Sequence, residues 1–418
     1  MNDSIVCLDI GTSVVRAVIG DFNENNVLQI TGTGQCATSG LRNGLIVNIE
    51  ETTRAIRTAI EAVEMVSGYE VSECVASIGG AHIAGLNSKG FLTLPSLGGG
   101  DKRMREVTQH DVERVIQSAN WMQPPPDRQI LHVIPQSYIV DGQGGIKNPV
   151  NMIGTHLEAA VHIITAAITP LQNIQRCISR AGYTLAANGV MLKTLAATQA
   201  VMTDEELELG SILIDLGGGT TDVLVLYDGA PICTASLPYG GIGVTNDIAV
   251  VKGISFDTAE RIKLSSGSCW GEFLDEEADV IIPGVGGGRP PESVSRLELC
   301  GIIRPQVENI LEMVRREVYR LSSVDSLSGN IVLVGGGALM QGVVELTQEV
   351  FNTSSVRVGY PRNFGGVVEE YRSPVFAAAA GLFYDAMDKR KNQETAVSGK
   401  RPVWTIGEKI SKVFREFF

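Results

Sequence analysis

Short apolar runs that end on aspartate and glycine punctuate this chain. Ile5-Val6-Cys7-Leu8-Asp9-Ile10-Gly11-Thr12-Ser13 leads into a second apolar run from Val14 to Ile19, and Ile212-Leu213-Ile214-Asp215-Leu216-Gly217-Gly218-Gly219-Thr220-Thr221-Asp222 leads into Val223 to Tyr227. Runs of this length, rich in β-branched residues and broken by glycine and hydroxyl residues, predict a strand, a tight turn and a second strand at each place. A third run, Asn330 to Val334, enters Gly335-Gly336-Gly337-Ala338-Leu339 and continues as a helical pattern through Phe351. Ser373-Pro374-Val375-Phe376 followed by four alanines and Gly381 predicts a small-residue helix able to approach another backbone closely.

The polar residues inside these turns suggest the chemistry. Glycines let backbone N–H groups approach a phosphate, and hydroxyls add donors. Candidate phosphate-binding residues are therefore Gly11, Thr12 and Ser13 in the first turn and Gly217, Gly218, Gly219, Thr220 and Thr221 in the second. Asp9 and Asp215 end the first strand of each hairpin, where they could hold Mg²⁺ through water, since that ion keeps most of its hydration shell. One glycine hairpin is commonplace; two, each opening a half of the chain, carry the reading. Gly335, Gly336, Gly337 and Ala338 form a third candidate, a strand feeding a glycine turn and a helix N-terminus. No Gly-Lys-Ser/Thr follows, so this is not a Walker lysine loop.

Composition bounds the rest. At 418 residues and 44% hydrophobic, the chain exceeds one compact domain and can fill two cores. Seven scattered cysteines and five histidines show neither a disulfide framework nor a zinc spacing. Asp3 and Asp9 interrupt the N-terminal apolar stretch, so no secretory leader is expected, and no apolar run is long enough to span a bilayer. With a net charge of −13, no nucleic-acid partner is expected.

The C-terminus departs from this acidic body. After Met387 a polar stretch to about 401 reads as a flexible tether. From Pro402 a new helical pattern places Val403, Ile406, Ile410, Val413, Phe414 and Phe417 on one face, with Trp404 and Phe418 at its edges. Between 400 and 418, five basic residues (Lys400, Arg401, Lys409, Lys412, Arg415) face two acidic ones (Glu408, Glu416), a net +3 that leaves the remainder at −16. A basic amphipathic helix on a tether can lie in an anionic headgroup region that repels the acidic body. The alternative is a helix docked on the protein's own core or on a partner. One such helix binds lipid only marginally, so firm attachment needs many copies joined together.

On the glycine motifs, the chain resembles the actin-like ATPase superfamily, in which two phosphate hairpins and an adenosine-binding glycine turn surround ATP between two related domains. Gly240-Gly241 with Thr245-Asn246-Asp247, then Thr258-Ala259-Glu260-Arg261-Ile262-Lys263, is similar to that superfamily's adenosine-contacting helix pair. This resemblance implies Gly241, Glu260 and Lys263 as adenosine contacts; the alternative for Glu260 and Lys263 is a solvated surface pair. Ser77-Ile78-Gly79-Gly80, Arg105 to Val112, Pro125 to Gln136, Asp141-Gly142, Asn148-Pro149, Gly154, Leu157-Glu158 and Val161-His162 narrow the resemblance to the FtsA family of bacterial cell-division proteins. Gly287-Gly288-Arg289-Pro290-Pro291 and Ile302-Ile303-Arg304-Pro305 extend it over nearly the whole chain.

The resemblance implies an α/β, actin-like two-domain ATPase fold, a duplicated mixed sheet flanked by helices, with an inserted small α+β subdomain and a C-terminal amphipathic helix. Expected boundaries are 1–83 with 161–198 and 199–247 with 325–386 for the two nucleotide-binding units, 84–160 and 248–324 for the smaller ones, 387–401 for a linker and 402–418 for a membrane-targeting helix. It also implies ATP and Mg²⁺, a head-to-tail filament, and a peripheral place on the cytoplasmic face of the inner membrane at the division septum. Implied partners are the C-terminal tail of FtsZ, anionic lipid through Trp404, Ile406, Lys409, Ile410, Lys412, Val413, Phe414, Arg415, Phe417 and Phe418, and later division proteins on the inserted subdomain. Arg289, Arg296 and Arg304, in and before the helix expected after Pro291, would meet the acidic FtsZ tail; an ordinary solvated helix face is the alternative.

The helix crossing between the halves is expected near Lys193-Thr194-Leu195-Ala196-Ala197-Thr198. Superfamily members often carry a water-positioning glutamate where Lys193 stands. A cation cannot accept a proton from water, so slow hydrolysis at most is expected and no catalytic residue is assigned. A pilus-assembly scaffold ATPase or a small-molecule phosphotransferase on the same fold is the alternative function. A chaperone ATPase would need a peptide-binding β domain after the ATPase, where a tether and a short helix are expected instead.

Overall fold

The computed structural model describes residues 5–23, 27–94, 104–119, 124–274, 279–282, 290–322, 330–362, 364–366 and 369–397. The chain starts with β1 (Ile5–Ile10), β2 (Val14–Phe22) and β3 (Leu28–Ala37), a small ribbon of β4 (Leu41–Arg42) and β5 (Leu45–Ile46), helix α1 (Ile49–Ser67) and β6 (Glu73–Ile78). Helix α1 begins where the Asn48 side chain accepts from the Glu51 N–H and stops at Gly68 in the left-handed region. Its buried residues Thr52, Ala55, Ile56, Ala59, Ile60 and Val63 recur at helical spacing and lie on the sheet.

An inserted unit follows: β7 (Ile83–Thr93), β8 (Arg105–Glu106), α2 (Gln109–Ala119), β9 (Arg128–Val140), β10 (Gln143–Ile146), β11 (Ile153–Gly154) and β12 (His156–Ala167). Its sheet runs β10-β9-β12-β7, and α2 covers one face through Val112, Val115, Ile116 and Ala119. The other face meets the second half of the chain. The first half is completed by α3 (Ile168–Ala181), β13 (Thr184–Leu192) and α4 (Lys193–Val201), after which a Thr203–Glu206 capping box starts α5 (Asp204–Leu209).

The second half comprises β14 (Ser211–Leu216), β15 (Thr221–Tyr227), β16 (Ala230–Leu237), α6 (Gly241–Lys252), α7 (Phe256–Ser266), a ribbon of β17 (Asp279–Ile282) and β18 (Glu292–Ser295), α8 (Arg296–Ser322), β19 (Asn330–Val334), α9 (Val343–Phe351), β20 (Val356–Val358) and α10 (Ala377–Val397). The five-stranded sheets of the two halves, β13-β6-β1-β2-β3 and β20-β19-β14-β15-β16, share one order. In each, a central strand pairs antiparallel with the next strand in sequence and parallel with a later one. The sheet is therefore duplicated, as the paired glycine hairpins suggest.

Helices α4 and α10 close the back of the molecule. Leu195, Ala196, Ala197 and Ala200 of α4 share one core with Ala379, Ala380 and Phe383 of α10, with Leu8 and Val18 of the first sheet, and with Leu213, Leu224 and Val332 of the second. A separate core lies on the far side of the second sheet under α6, α8 and α9.

Three expectations need correction. The stretch after Met387 is helical through Val397, so 388–397 is not a flexible tether; an Asp385–Lys389 ion pair at 3.1 Å bridges the last apolar turn and the polar stretch. Residues 398–418, with the amphipathic pattern, lie outside the described residues. The third glycine turn feeds a 3-10 turn over Gly336–Leu339, and α9 begins only at Val343. After Pro291 the chain first makes β18, and Arg296 opens α8.

Candidate functional site

The turns of the two hairpins are built alike. Gly11 N–H donates to the Val14 carbonyl at 3.1 Å and Gly217 N–H donates to the Thr220 carbonyl at 2.9 Å. They face each other across the cleft: a Cβ on Gly218 would lie 2.3 Å from Ser13 Oγ, and one on Gly219 would lie 2.6 Å from Thr12 Cγ2. Larger residues at the second turn would wedge the halves apart. Thr12 Oγ1 also accepts from the Gly44 N–H at 3.1 Å, while Thr221 Oγ1 donates to the Tyr239 carbonyl at 2.9 Å.

The other two glycine motifs join the same place. Gly241 N–H donates to the Gly217 carbonyl at 3.0 Å and Ile242 N–H to Gly218 at 2.8 Å, which fixes the start of α6 on the second hairpin. Gly335 has φ +82° and comes so near Asp215 that a Cβ would lie 2.3 Å from its Oδ1; only glycine meets both demands. Its N–H donates to the Pro374 carbonyl at 3.0 Å. Gly337 packs on Leu216, and Ala338 is buried, whereas an added Cβ on Gly336 meets open space.

Glu260 and Lys263 of α7 turn toward α6. Lys263 Nζ lies 2.7 Å from Glu260 Oε2, 2.8 Å from Thr245 Oγ1 and 3.1 Å from the Gly241 carbonyl, and Thr245 Oγ1 also donates to Glu260. The pair thus braces the Gly240–Gly241 turn rather than standing in solvent.

At the floor of the cleft lie three buried carboxylates, Asp9, Asp215 and Asp222, and two half-buried cations, Lys193 and Arg16. Asp9 accepts from Ser77 Oγ at 2.6 Å. Asp222 accepts from Gly80 N–H at 3.1 Å and from Thr220 Oγ1 at 3.0 Å. Lys193 Nζ lies 2.9 Å from Asp215 Oδ2 and 3.2 Å from Asp222 Oδ2. Burial alone would lower the Lys193 ammonium, but Asp215, Asp222 and Asp9 outweigh it and raise its pKa, so the group is charged. Burial pushes the Asp215 carboxyl up against the pull of Lys193. Burial likewise lowers Arg16, which Asp9 and Asp215 hold in its charged form.

These donors fit a phosphate chain with a divalent cation in part. The carboxylates outnumber the two cations, which favours a further positive charge, and an added Cβ on Gly336 meets open space. Among the described residues no group of three or more His, Cys, Asp or Glu is set to ligate a metal directly. Lys193, Asp222, Ser77 and Arg16 were not assigned to the site from sequence. The available signal was the pairing register, in which a buried aspartate at 222 stands opposite Asp215.

The arginines of α8 are already engaged. Arg296 donates to Gln341 Oε1 at 2.6 Å and to the Ser266 carbonyl at 3.3 Å. Arg304 pairs with Glu349 at 2.6 Å and lies 4.8 Å from the centre of the Trp270 ring. Arg289 lies outside the described residues, as do the tail residues Trp404 to Phe418. No helix among the described residues is long and apolar enough to cross a membrane.

Residues 212–381 match the family model described as "Cell division protein FtsA", and residues 80–165 match "SHS2 domain inserted in FTSA". Cell division protein FtsA of Borreliella burgdorferi is 41% identical over 398 residues, spanning 95% of this chain and 94% of that protein. The FtsA of Pseudomonas aeruginosa is 36% identical over 396 residues, spanning 94% and 92%. Among solved structures, the PilM-PilN type IV pilus biogenesis complex superposes with a TM-score of 0.63 at 15% identity, over 91% of this chain and 97% of that one. MreB 5 of Spiroplasma citri bound to AMPPNP gives 0.56 at 15% identity, over 95% and 99%. The fold is thus the actin-like α/β fold with an inserted subdomain.

Proposed function

The chain belongs to the FtsA family of cell division proteins, and from that premise we propose that it binds ATP with Mg²⁺ in the cleft, assembles head to tail on the cytoplasmic face of the inner membrane at the septum, and tethers the FtsZ filament there. The observation that carries the nucleotide reading is the convergence of four glycine-bearing segments on the cluster of Asp9, Asp215, Asp222 and Lys193. Asp9 and Asp215 would hold hydrated Mg²⁺, which would offset phosphate charge. Glu260, Lys263 and Gly241 would border the adenosine, and the hairpin turns would receive the phosphates.

Hydrolysis is slow in this reading. Lys193 stands where a carboxylate base would be needed, and the neighbouring carboxylate of Asp222 is tied to Lys193, Thr220 and Gly80. The same ties weigh against a phosphotransferase, which needs a base facing its acceptor. A turnover on the order of 1–100 per second would refute slow hydrolysis.

The basic pattern of 402–418 supports lipid contact, and a heterologous filament would multiply that weak contact. Arg289, Arg296 and Arg304 would meet acidic FtsZ-tail carboxylates, with Gln341 and Glu349 exchanged as partners. The deciding experiment is co-sedimentation with anionic liposomes in ATP, comparing the full chain with one ending at Val397. Tail-dependent binding that steepens with protein concentration is expected; equal binding by the two chains would overturn the membrane half of the proposal.

A further inference from the structure

The two hairpins balance their aspartates differently. In β1 and β2, Asp9 stands opposite Arg16, whereas in β14 and β15 the equivalent positions hold Asp215 opposite Asp222. Like charges directly opposite on neighbouring strands repel, and these are buried, with Asp215 5% and Asp222 3% exposed. The missing cation comes from outside the hairpin. Lys193, the first residue of α4, places Nζ 2.9 Å from Asp215 and 3.2 Å from Asp222. Its stem is confined at Gly79, where an added Cβ would lie 2.3 Å from Lys193 Cδ, and its ammonium lies 3.8 Å from a Cβ placed on Gly217 of the second turn. The ammonium therefore occupies the ground between the carboxylate pair and the turn that would receive phosphate.

We propose that Lys193 is a tethered cation that keeps free divalent metal off the Asp215–Asp222 pair until nucleotide phosphates give the ammonium another anionic partner. The proposal rests on the nucleotide reading above. An ammonium and a divalent ion cannot bridge the same carboxylate oxygens, and a cation attached to the chain competes at high effective concentration. Lysine suits such an exchange because it is a point charge on a flexible stem. Metal and nucleotide then bind together, and metal alone does not.

The test measures metal binding without nucleotide on the full chain, using Mg²⁺ in thermal unfolding and Mn²⁺ in spin-resonance titration. In wild type, millimolar Mg²⁺ leaves the midpoint unchanged. In Lys193→Gln, which keeps length and loses charge, the uncompensated carboxylate pair takes up the ion: the midpoint rises about 2–5 °C and Mn²⁺ binds about tenfold tighter than to wild type. The double variant Lys193→Gln with Asp222→Asn removes the repulsion that could prevent folding, and it loses most of that metal response. Wild type binding metal alone as tightly as Lys193→Gln would overturn the proposal, as would a double variant that keeps the full response. A parallel titration with ATP separates the two readings. If ATP with Mg²⁺ never shifts wild type while the metal-alone results hold, the nucleotide reading fails and the counter-ion role of Lys193 stands.

Discussion

Gly381 of α10 meets the backbone of Ala196 in α4: a Cβ on Gly381 would lie 1.7 Å from the Ala196 carbonyl oxygen. No side-chain movement relieves a contact with main chain, so Gly381→Ala must part the two helices, both of which belong to the core shared by the halves. The expected cost is about 3 kcal/mol or more. Denaturant unfolding of the variant measures it, and a loss within experimental error of zero would show that the helices do not pack this closely.

In the inserted subdomain a half-buried arginine pairs with a buried carboxylate. Arg105 donates to both oxygens of Asp111 at 2.6 Å, and Asp111, 2% exposed, also accepts from the Thr108 backbone and hydroxyl. The Arg105 hydrogen bonds hold the Asp111 carboxyl well below the usual carboxylate range, against the opposing effect of burial and with further help from Thr108. Because the folded pKa is depressed, the stabilisation is present above the unfolded value of about 3.9 and is lost as pH falls below it. Arg105→Ala leaves the carboxylate buried without its partner and should cost about 2–4 kcal/mol, read as a lower unfolding midpoint at pH 7.

Three buried histidines set the acid limb of stability. Burial lowers His82 and His162 to about 4 and His132 to about 3. Each is neutral in the fold and takes a proton on unfolding, so stability is full above the unfolded value of about 6.5 and falls as pH drops toward the folded values. His162 links the insertion to the second half, with Nδ1 2.7 Å from Asn87 Oδ1 and Nε2 2.8 Å from Thr234 Oγ1. Asn87 Nδ2 donates to the Ile232 carbonyl, which turns its oxygen toward the imidazole; Nδ1 then donates and Nε2 accepts. These three groups together should bind about three protons on unfolding near pH 5, falling to about two in His162→Gln, measured from the slope of urea stability against pH.

Lys263→Met removes the cation that joins Glu260, Thr245 and the Gly241 carbonyl. If the Gly240–Gly241 turn receives adenosine, affinity for a fluorescent ATP analogue should fall about tenfold, roughly the loss of one charge-assisted hydrogen bond. Unchanged affinity in a folded variant would remove Lys263 from the site.

Much of this architecture is local and legible in the sequence. Two short apolar runs around a glycine turn define a hairpin by alternation and turn chemistry alone, which is why β1–β2 and β14–β15 fall where the pattern puts them. The small-residue run near Gly381 announced a close helix approach for the same reason. Boundaries set by cooperation between neighbours were harder: helix α10 outruns its apolar pattern to Val397, and β18 intervenes before α8.

What the sequence by itself determined is the duplicated pair of hairpins and the glycine turns, both properties of neighbouring residues. Only the tertiary structure decided how the charges are matched. Lys193 meets Asp215 and Asp222 because α4 crosses behind the second sheet, and Arg304 meets Glu349 and Trp270 because α8 lies beside α9. Hydrophobic period and turn chemistry act over a few residues, whereas an ion pair depends on which distant side chains the fold brings within about 3 Å.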